Sequence, residues 1–86
     1  MDRVEEEIRR VLGEHARLPV EPAAIGVDDD LFQAGMTSHA SVNVMLALED
    51  AFDMEFPEEM LRKSTFESIG AMQQAVSHLA GEGAAV

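Results

Sequence analysis

Thr37, Ser38 and Ser41 set three hydroxyls within five positions, just ahead of an amphipathic stretch, and their spacing is what most invites chemistry in this chain. Gly35 before them can take a positive φ, and Thr37 or Ser38 can cap a helix by accepting a hydrogen bond from an exposed backbone N–H. One cap needs only one hydroxyl. Thr37 is the natural cap, Ser41 lies one turn inside facing the core, and Ser38 is left pointing outward at the positive end of the helix. Free amides and the helix dipole make that end suited to a serine carrying a phosphodiester. Ser38 is poorly suited to being a nucleophile by itself. His39 adjoins it in sequence, but neighbouring side chains on a helix diverge by about 100°, and His15 and His78 belong to other helices. A Ser/His triad is unsupported, and the chain is not expected to be an enzyme.

The elements that must hold this serine follow from periodicity. Val4, Ile8, Val11 and Leu12 recur at helical spacing opposite a charged face, which predicts a first helix from Asp2 to about Ala16. "LPVEPAAIG" breaks it, and a long connection runs on through "VDDD" to Leu31 and Phe32, which are expected to pin it to the core by a single short turn. A second helix is predicted from Thr37 or Ser38 to about Phe52, with Ser41, Val44, Met45, Leu48 and Phe52 inward. Pro57 with Glu58 and Glu59 reads as the start of a short third helix, Pro57 taking the first helical position. Ser64 and Glu67 fit an S-x-x-E capping box for a fourth, whose stripe is Phe66, Ile69, Met72, Val76 and Leu79. The expected fold is all-α: a small four-helix bundle of three main helices and one short one, with a long loop between helices 1 and 2. Residues 1–80 make a single domain, and "GEGAAV" at 81–86 reads as a flexible tail. A long loop without structure of its own is unusual in so small a domain and hints at a role.

Composition narrows the function classes. With 86 residues there is room for one core and none for a cleft between domains. The chain has no cysteine, so disulfides, thiolate catalysis and thiolate metal sites are all excluded, and any thiol chemistry must be imported on a cofactor. The formal net charge is −11, and the span from Leu18 to Leu61 holds ten acids and no Lys or Arg. Nucleic acid and anionic membrane, both bound through basic patches, are therefore disfavoured as partners. No run of about 18 apolar residues occurs and seven of the first ten residues are charged, which predicts a soluble, cytoplasmic protein. "DDDLF" lacks the alternating ligands, central Gly and distant Glu of a calcium loop, and no metal is expected.

The stretch "DLFQAGMTSHASVNVMLALEDAFDMEFPEEMLRKSTFESI" resembles the acyl and peptidyl carrier proteins. It has an acid and Leu-Phe before a Gly, a Ser opening the second helix, "LEDAF" closing it, "EFPEE" opening the short third, and a Thr-Phe pair opening the last. The resemblance runs from about Asp30 to Leu79 and implies an acyl-carrier-protein-like fold. It also implies that Ser38 bears a covalent 4′-phosphopantetheine taken from coenzyme A, whose thiol holds an acyl or aminoacyl group as a thioester. Most carriers have Asp-Ser-Leu where this chain has Thr37-Ser38-His39, and many fatty-acid carriers place Glu where Asn43 stands. The chain is more similar to the freestanding aminoacyl carriers served by amino acid:carrier protein ligases, truncated homologues of seryl-tRNA synthetase. The implied partners are then a phosphopantetheinyl transferase, such a ligase and a downstream acyl-accepting enzyme, all meeting a monomer.

On this resemblance Thr37 and His39 flank the cofactor. His39, Val42, Asn43, Leu46 and Glu49, spaced by three or four, share a helix stripe beside Ser38 that partners would read, and Met36 joins Val42 and Leu46 in an exposed apolar patch. Arg62 and Lys63 either contact the cofactor or complement the dipole at the end of the third helix, the second reading being slightly favoured. Two other readings stay open. One is a carrier of fatty-acyl or polyketide groups. The other is an unmodified helical interaction module, in which "TSH" is only a cap.

Overall fold

A computed structural model describes residues 3–84. The described chain has four α-helices, α1 (Arg3–His15), α2 (Leu31–Ala34), α3 (Ser38–Phe52) and α4 (Ile69–Ala84), with one 3₁₀ turn at Pro22–Ala24 between α1 and α2 and two, Glu58–Met60 and Lys63–Thr65, between α3 and α4. No strand occurs among the described residues, as the all-α expectation requires. Asp2, where the first helix was expected to start, lies outside them. Helix α4 runs through Ala84 rather than stopping near Ala80. No helix among the described residues is long and apolar enough to cross a membrane.

Helix α1 packs against α3 and α4. Its inward line of Ile8, Val11 and Leu12 is buried, and so are Ala40, Val44 and Leu48 of α3 and Ile69, Met72 and Val76 of α4. Each of the larger side chains contributes about 1.5–3 kcal/mol by leaving water. The inner edge of α3 thus begins at Ala40, and Ser41 is half-buried beside it. Its hydroxyl donates to the Ser38 carbonyl at 2.6 Å, so Ser41 does not enter the core as expected. On the outer face of α1, Arg10 bridges Glu7 at 2.5 Å and Glu14 at 2.9 Å. The bond to Arg10 holds the Glu7 carboxyl below its ordinary value, and the two glutamates raise the guanidinium in turn.

The long connection is tied down along its length. Arg9 donates through Nη1 to the carbonyls of Pro22 at 2.5 Å and Ile25 at 2.7 Å while its Nε meets Glu5 at 2.9 Å. Further on, the Gly70 amide donates to Val27 O at 2.8 Å and the Leu31 amide to Glu67 O at 2.7 Å, which joins the loop to the start of α4. A Cβ at position 70 would stand 3.2 Å from the Val27 carbonyl, so glycine permits this approach. Asp30 caps α2 by accepting from the amides of Phe32 and Gln33, and Leu31 is fully buried. The short turn expected at Leu31 and Phe32 is this helix.

Two expected helix starts differ. Pro57 has an extended ψ of 156°, so it precedes the turn Glu58–Met60 instead of opening an α-helix. The third helix is therefore a single 3₁₀ turn. The capping box of Ser64 and Glu67 does not form. Phe66 is buried edge-to-face against Phe56, ring centroids 5.2 Å apart, and Glu67 gives its carbonyl to Leu31, so this stretch is committed to tertiary contacts. The cap falls to Ser68, whose Oγ accepts from the Ala71 amide at 3.0 Å.

Candidate functional site

Three local devices present Ser38. Gly35 closes α2 with φ 125°, a conformation side chains rarely adopt, and turns the chain toward α3. Met36 follows at 3% exposure and anchors the turn in the core. Thr37 then caps α3, its Oγ1 accepting from the Ala40 amide at 3.0 Å. Ser38 is left exposed as the first residue of α3, where the amides of Ser38 and His39 have no acceptor within the helix.

Beside Ser38 opens a cleft of about 260 Å³. Its walls come from α2 (Phe32), α3 (Ser41, Val42, Met45) and the irregular segment before α4 (Leu61, Arg62, Lys63, Phe66). The walls are mainly apolar, and neither an acid nor a histidine lines them. Both cations are solvent-exposed and make one local contact each: Arg62 Nε donates to Glu59 O at 2.9 Å, and Lys63 Nζ sits 4.9 Å from the centre of the Phe32 ring. Arg62 therefore complements the end of the short turn, as the sequence favours, and also stands beside the serine.

The expected site residues separate into three groups. Ser38 lines the cleft, whereas His39 lines another pocket with His15, Arg17, Thr37 and Asn43, between the end of α1 and the start of α3. Their divergence leaves Ser38 without an adjacent base. Val42 and Leu46 are exposed at 49% and 54%, and Asn43 lies between them, also exposed. Met36 and Glu49 depart from the expected partner stripe. Met36 is buried and cannot belong to an exposed patch, and Glu49 is half-buried with its carboxylate accepting from the Phe56 amide at 2.9 Å. Met45 and Ser41 went unrecognised as cleft residues although Ser38, Ser41, Val42 and Met45 share one helix face by spacing. Leu61 carries no such periodic signal, and the spacing of Phe66 reads it into the core stripe of the last helix.

The donor set fits a phosphopantetheine arm. Arg62, Lys63 and the helix start suit a phosphodiester, and the apolar wall suits the methylene and gem-dimethyl parts of the chain beyond it.

The chain matches the family model described as the phosphopantetheine attachment site over residues 2–73. It is 42% identical over 69 residues to an aminoacyl carrier protein of Agrobacterium fabrum (strain C58), a span of 80% of this chain and 83% of that protein. It is similar, with TM-score 0.85 and 39% identity over 87% of this chain and 97% of the other, to a chain in the crystal structure of an engineered Bradyrhizobium japonicum glycine:[carrier protein] ligase complexed with carrier protein from Agrobacterium tumefaciens and ATP. The solution structure of a holo acyl carrier protein from Nitrosomonas europaea matches with TM-score 0.80 and 28% identity, over 94% of this chain and 99% of that one.

Proposed function

Because the chain belongs to the phosphopantetheine-attachment family of carrier proteins, we propose that Ser38 is the attachment residue and that the cargo is an amino acid, activated by a seryl-tRNA-synthetase-like amino acid:carrier protein ligase. The observation that carries this reading is an exposed serine at the first position of α3, on the rim of an apolar cleft lined by two cations and no base. The cofactor is 4′-phosphopantetheine, and its terminal thiol supplies the thioester chemistry that a chain without cysteine lacks.

Ser38 is a passive acceptor. A phosphopantetheinyl transferase brings coenzyme A, Mg²⁺ and the base that takes the hydroxyl proton, and the Ser38 oxygen becomes the phosphodiester oxygen. Thr37 fixes the first turn so that this oxygen faces outward. Arg62 and Lys63 would face the phosphodiester, and Phe32, Val42, Met45 and Leu61 the chain beyond it. Val42 and Leu46, with Asn43 between them and His39 one turn earlier, form the face that the transferase, the ligase and a downstream acceptor enzyme read. The small apolar area suits brief encounters. A cytoplasmic monomer fits these partners.

The test is intact mass after incubating wild type and Ser38→Ala with coenzyme A, Mg²⁺ and a broad-specificity transferase. Addition of one phosphopantetheine to wild type alone is expected. Glycine and ATP with a cognate ligase should then add one glycyl group to the modified form. Loading only by an acyl-carrier synthetase would point to fatty-acyl cargo, and no modification by any transferase would overturn the carrier reading.

A further inference from the structure

Between the end of α1 and the start of α3 lies a second cavity, of about 350 Å³, whose wall includes His15, Arg17, Thr37, His39 and Asn43 and no acid. In a chain of net charge −11, an arginine and two of the three histidines meet there. Glu14, next to His15, lies outside the wall: one oxygen bonds Arg10 at 2.9 Å and the other stands 3.7 Å from His15 Nε2. Arg9 and Arg10 are paired with glutamates of α1. The Arg17 guanidinium is exposed and makes no hydrogen bond or ion pair among the described residues.

The backbone of Arg17 adds a second, independent signal. Its φ is 55°, in the left-handed region that glycine enters freely and an arginine seldom does. The corresponding turn at the end of α3 falls to Asp53, φ 51°, a residue type that tolerates it. An arginine kept in a costly conformation with its charge unpaired points to a use outside the fold. His15 and Asn43 also line the next hollow along the α1–α3 groove, together with the exposed Leu46. The cavity is thus continuous with the α3 face assigned above to partners.

We propose that this cavity receives a carboxylate side chain of the amino acid:carrier protein ligase, with Arg17 as the pairing cation and His15 and His39 flanking it. This rests on the aminoacyl-carrier reading above and deepens it, carrying the ligase contact from α3 onto the end of α1. The transferase reacts at the Ser38 oxygen, whereas the ligase reacts at the far end of the arm and must hold the domain by surface away from the serine. A planar guanidinium pairs with a carboxylate through two parallel hydrogen bonds, which fixes orientation as well as attraction.

The test measures the dissociation constant between the cognate ligase and the phosphopantetheinylated full chain by calorimetry. Arg17→Gly removes the charge and relieves the backbone, so it should bind roughly fivefold more weakly and yet melt no lower than wild type. The kcat of aminoacyl loading at saturating carrier and the transferase's KM should both be unchanged. Arg17→Lys keeps the charge on the same strained backbone and should recover most of the binding, while R17E should weaken it by roughly twentyfold or more. In 1 M salt, where the screening length falls to about 3 Å, the gap between wild type and Arg17→Gly should narrow. Replacing the ligase's surface acids singly by arginine should yield one form that prefers R17E to wild type.

Equal ligase affinity for wild type, Arg17→Gly and R17E, or no acid-to-arginine ligase that prefers R17E, would overturn the pocket contact while leaving the carrier intact. A lower melting temperature for Arg17→Gly with a matching rise in the transferase's KM would make Arg17 structural and overturn it too. A rise in the transferase's KM alone would overturn the choice of the ligase as occupant. Failure of the ligase to load the phosphopantetheinylated wild type would overturn the aminoacyl reading itself, and intact mass separates that result from the others.

Discussion

Thr37→Ala removes the hydroxyl that starts α3 and so tests how the serine platform is held. The Thr37 Oγ1 accepts from the Ala40 amide at 3.0 Å, and Ala40 is only 6% exposed, so solvent is a poor substitute acceptor. Replacing an N-cap by alanine costs about 1 kcal/mol within a range of roughly 0.5–2, and the shielded amide places this site in the upper half, at about 1.5 kcal/mol. At about 4–8 °C per kcal/mol for a domain of this size, the melting temperature should fall by roughly 6–12 °C. Thr37→Asp restores an acceptor and adds a negative charge to a first turn that holds no acid. It should recover the loss and add about 0.3–1 kcal/mol. Thermal unfolding by circular dichroism measures the global effect. Amide exchange at Ala40 and Ser41 locates it, since the Ser41 amide bonds the Thr37 carbonyl at 2.9 Å and should open with the frayed turn. If Thr37→Ala melts within about 2 °C of wild type with Ala40 exchange unchanged, or if aspartate is no better than alanine, the cap does not hold the platform.

Arg9→Ala frees the carbonyls of Pro22 and Ile25, and at about 1–3 kcal/mol for charge-assisted bonds it should lower stability and speed amide exchange at Ala24 and Ile25; unchanged exchange there would remove Arg9 as the loop's anchor. Met36→Ala should cost about 2–5 kcal/mol in thermal unfolding as a core truncation. Leu46→Asp, on an exposed position, should change stability by no more than about 0.5 kcal/mol while raising the ligase's KM several-fold; an unaltered KM would place the ligase contact elsewhere. The Glu7 carboxyl should titrate below ordinary glutamates by ¹³C NMR and move upward in Arg10→Ala. Its folded value is depressed, so the stabilisation is present above the unfolded value of about 4.3 and lost as pH falls through the folded value. Arg10→Ala should therefore lose less stability than wild type across that acid limb.

Periodic segments were legible and irregular ones were not. The bounds of α3 and the Thr37 cap follow from one hydroxyl ahead of an apolar repeat, and the placement of Ser38 follows from the cap. Ser64 and Glu67 match the capping pattern as well as any pair in the chain, but burying Phe66 against Phe56 and pairing Glu67 O with the Leu31 amide override it. Tertiary contacts far apart in sequence decided that start, and no local pattern encodes them. Met36 looked exposed because it lies two residues before the exposed serine. The positive φ of Gly35 turns it inward. Glu49 belonged to a surface stripe by spacing, and only the return of Phe56 toward α3 shows that its carboxylate is engaged. The cleft combines one readable helix face with a segment, Leu61 to Lys63, that has no period to read, and with Phe66, whose periodicity signals core and not cleft.

The pairing of Val27 with Gly70 and of Leu31 with Glu67 is made of main-chain atoms alone. Apart from the glycine required at position 70, these bonds fix the path of the loop without specifying the side chains along it. Asp28 and Gln33 are exposed within or just beyond this brace. Their side chains can change sign or size while the loop, and the serine that follows it, stay in register with α4. A carrier built this way can acquire a new set of clients by rewriting the surface next to its attachment point, without moving the point itself.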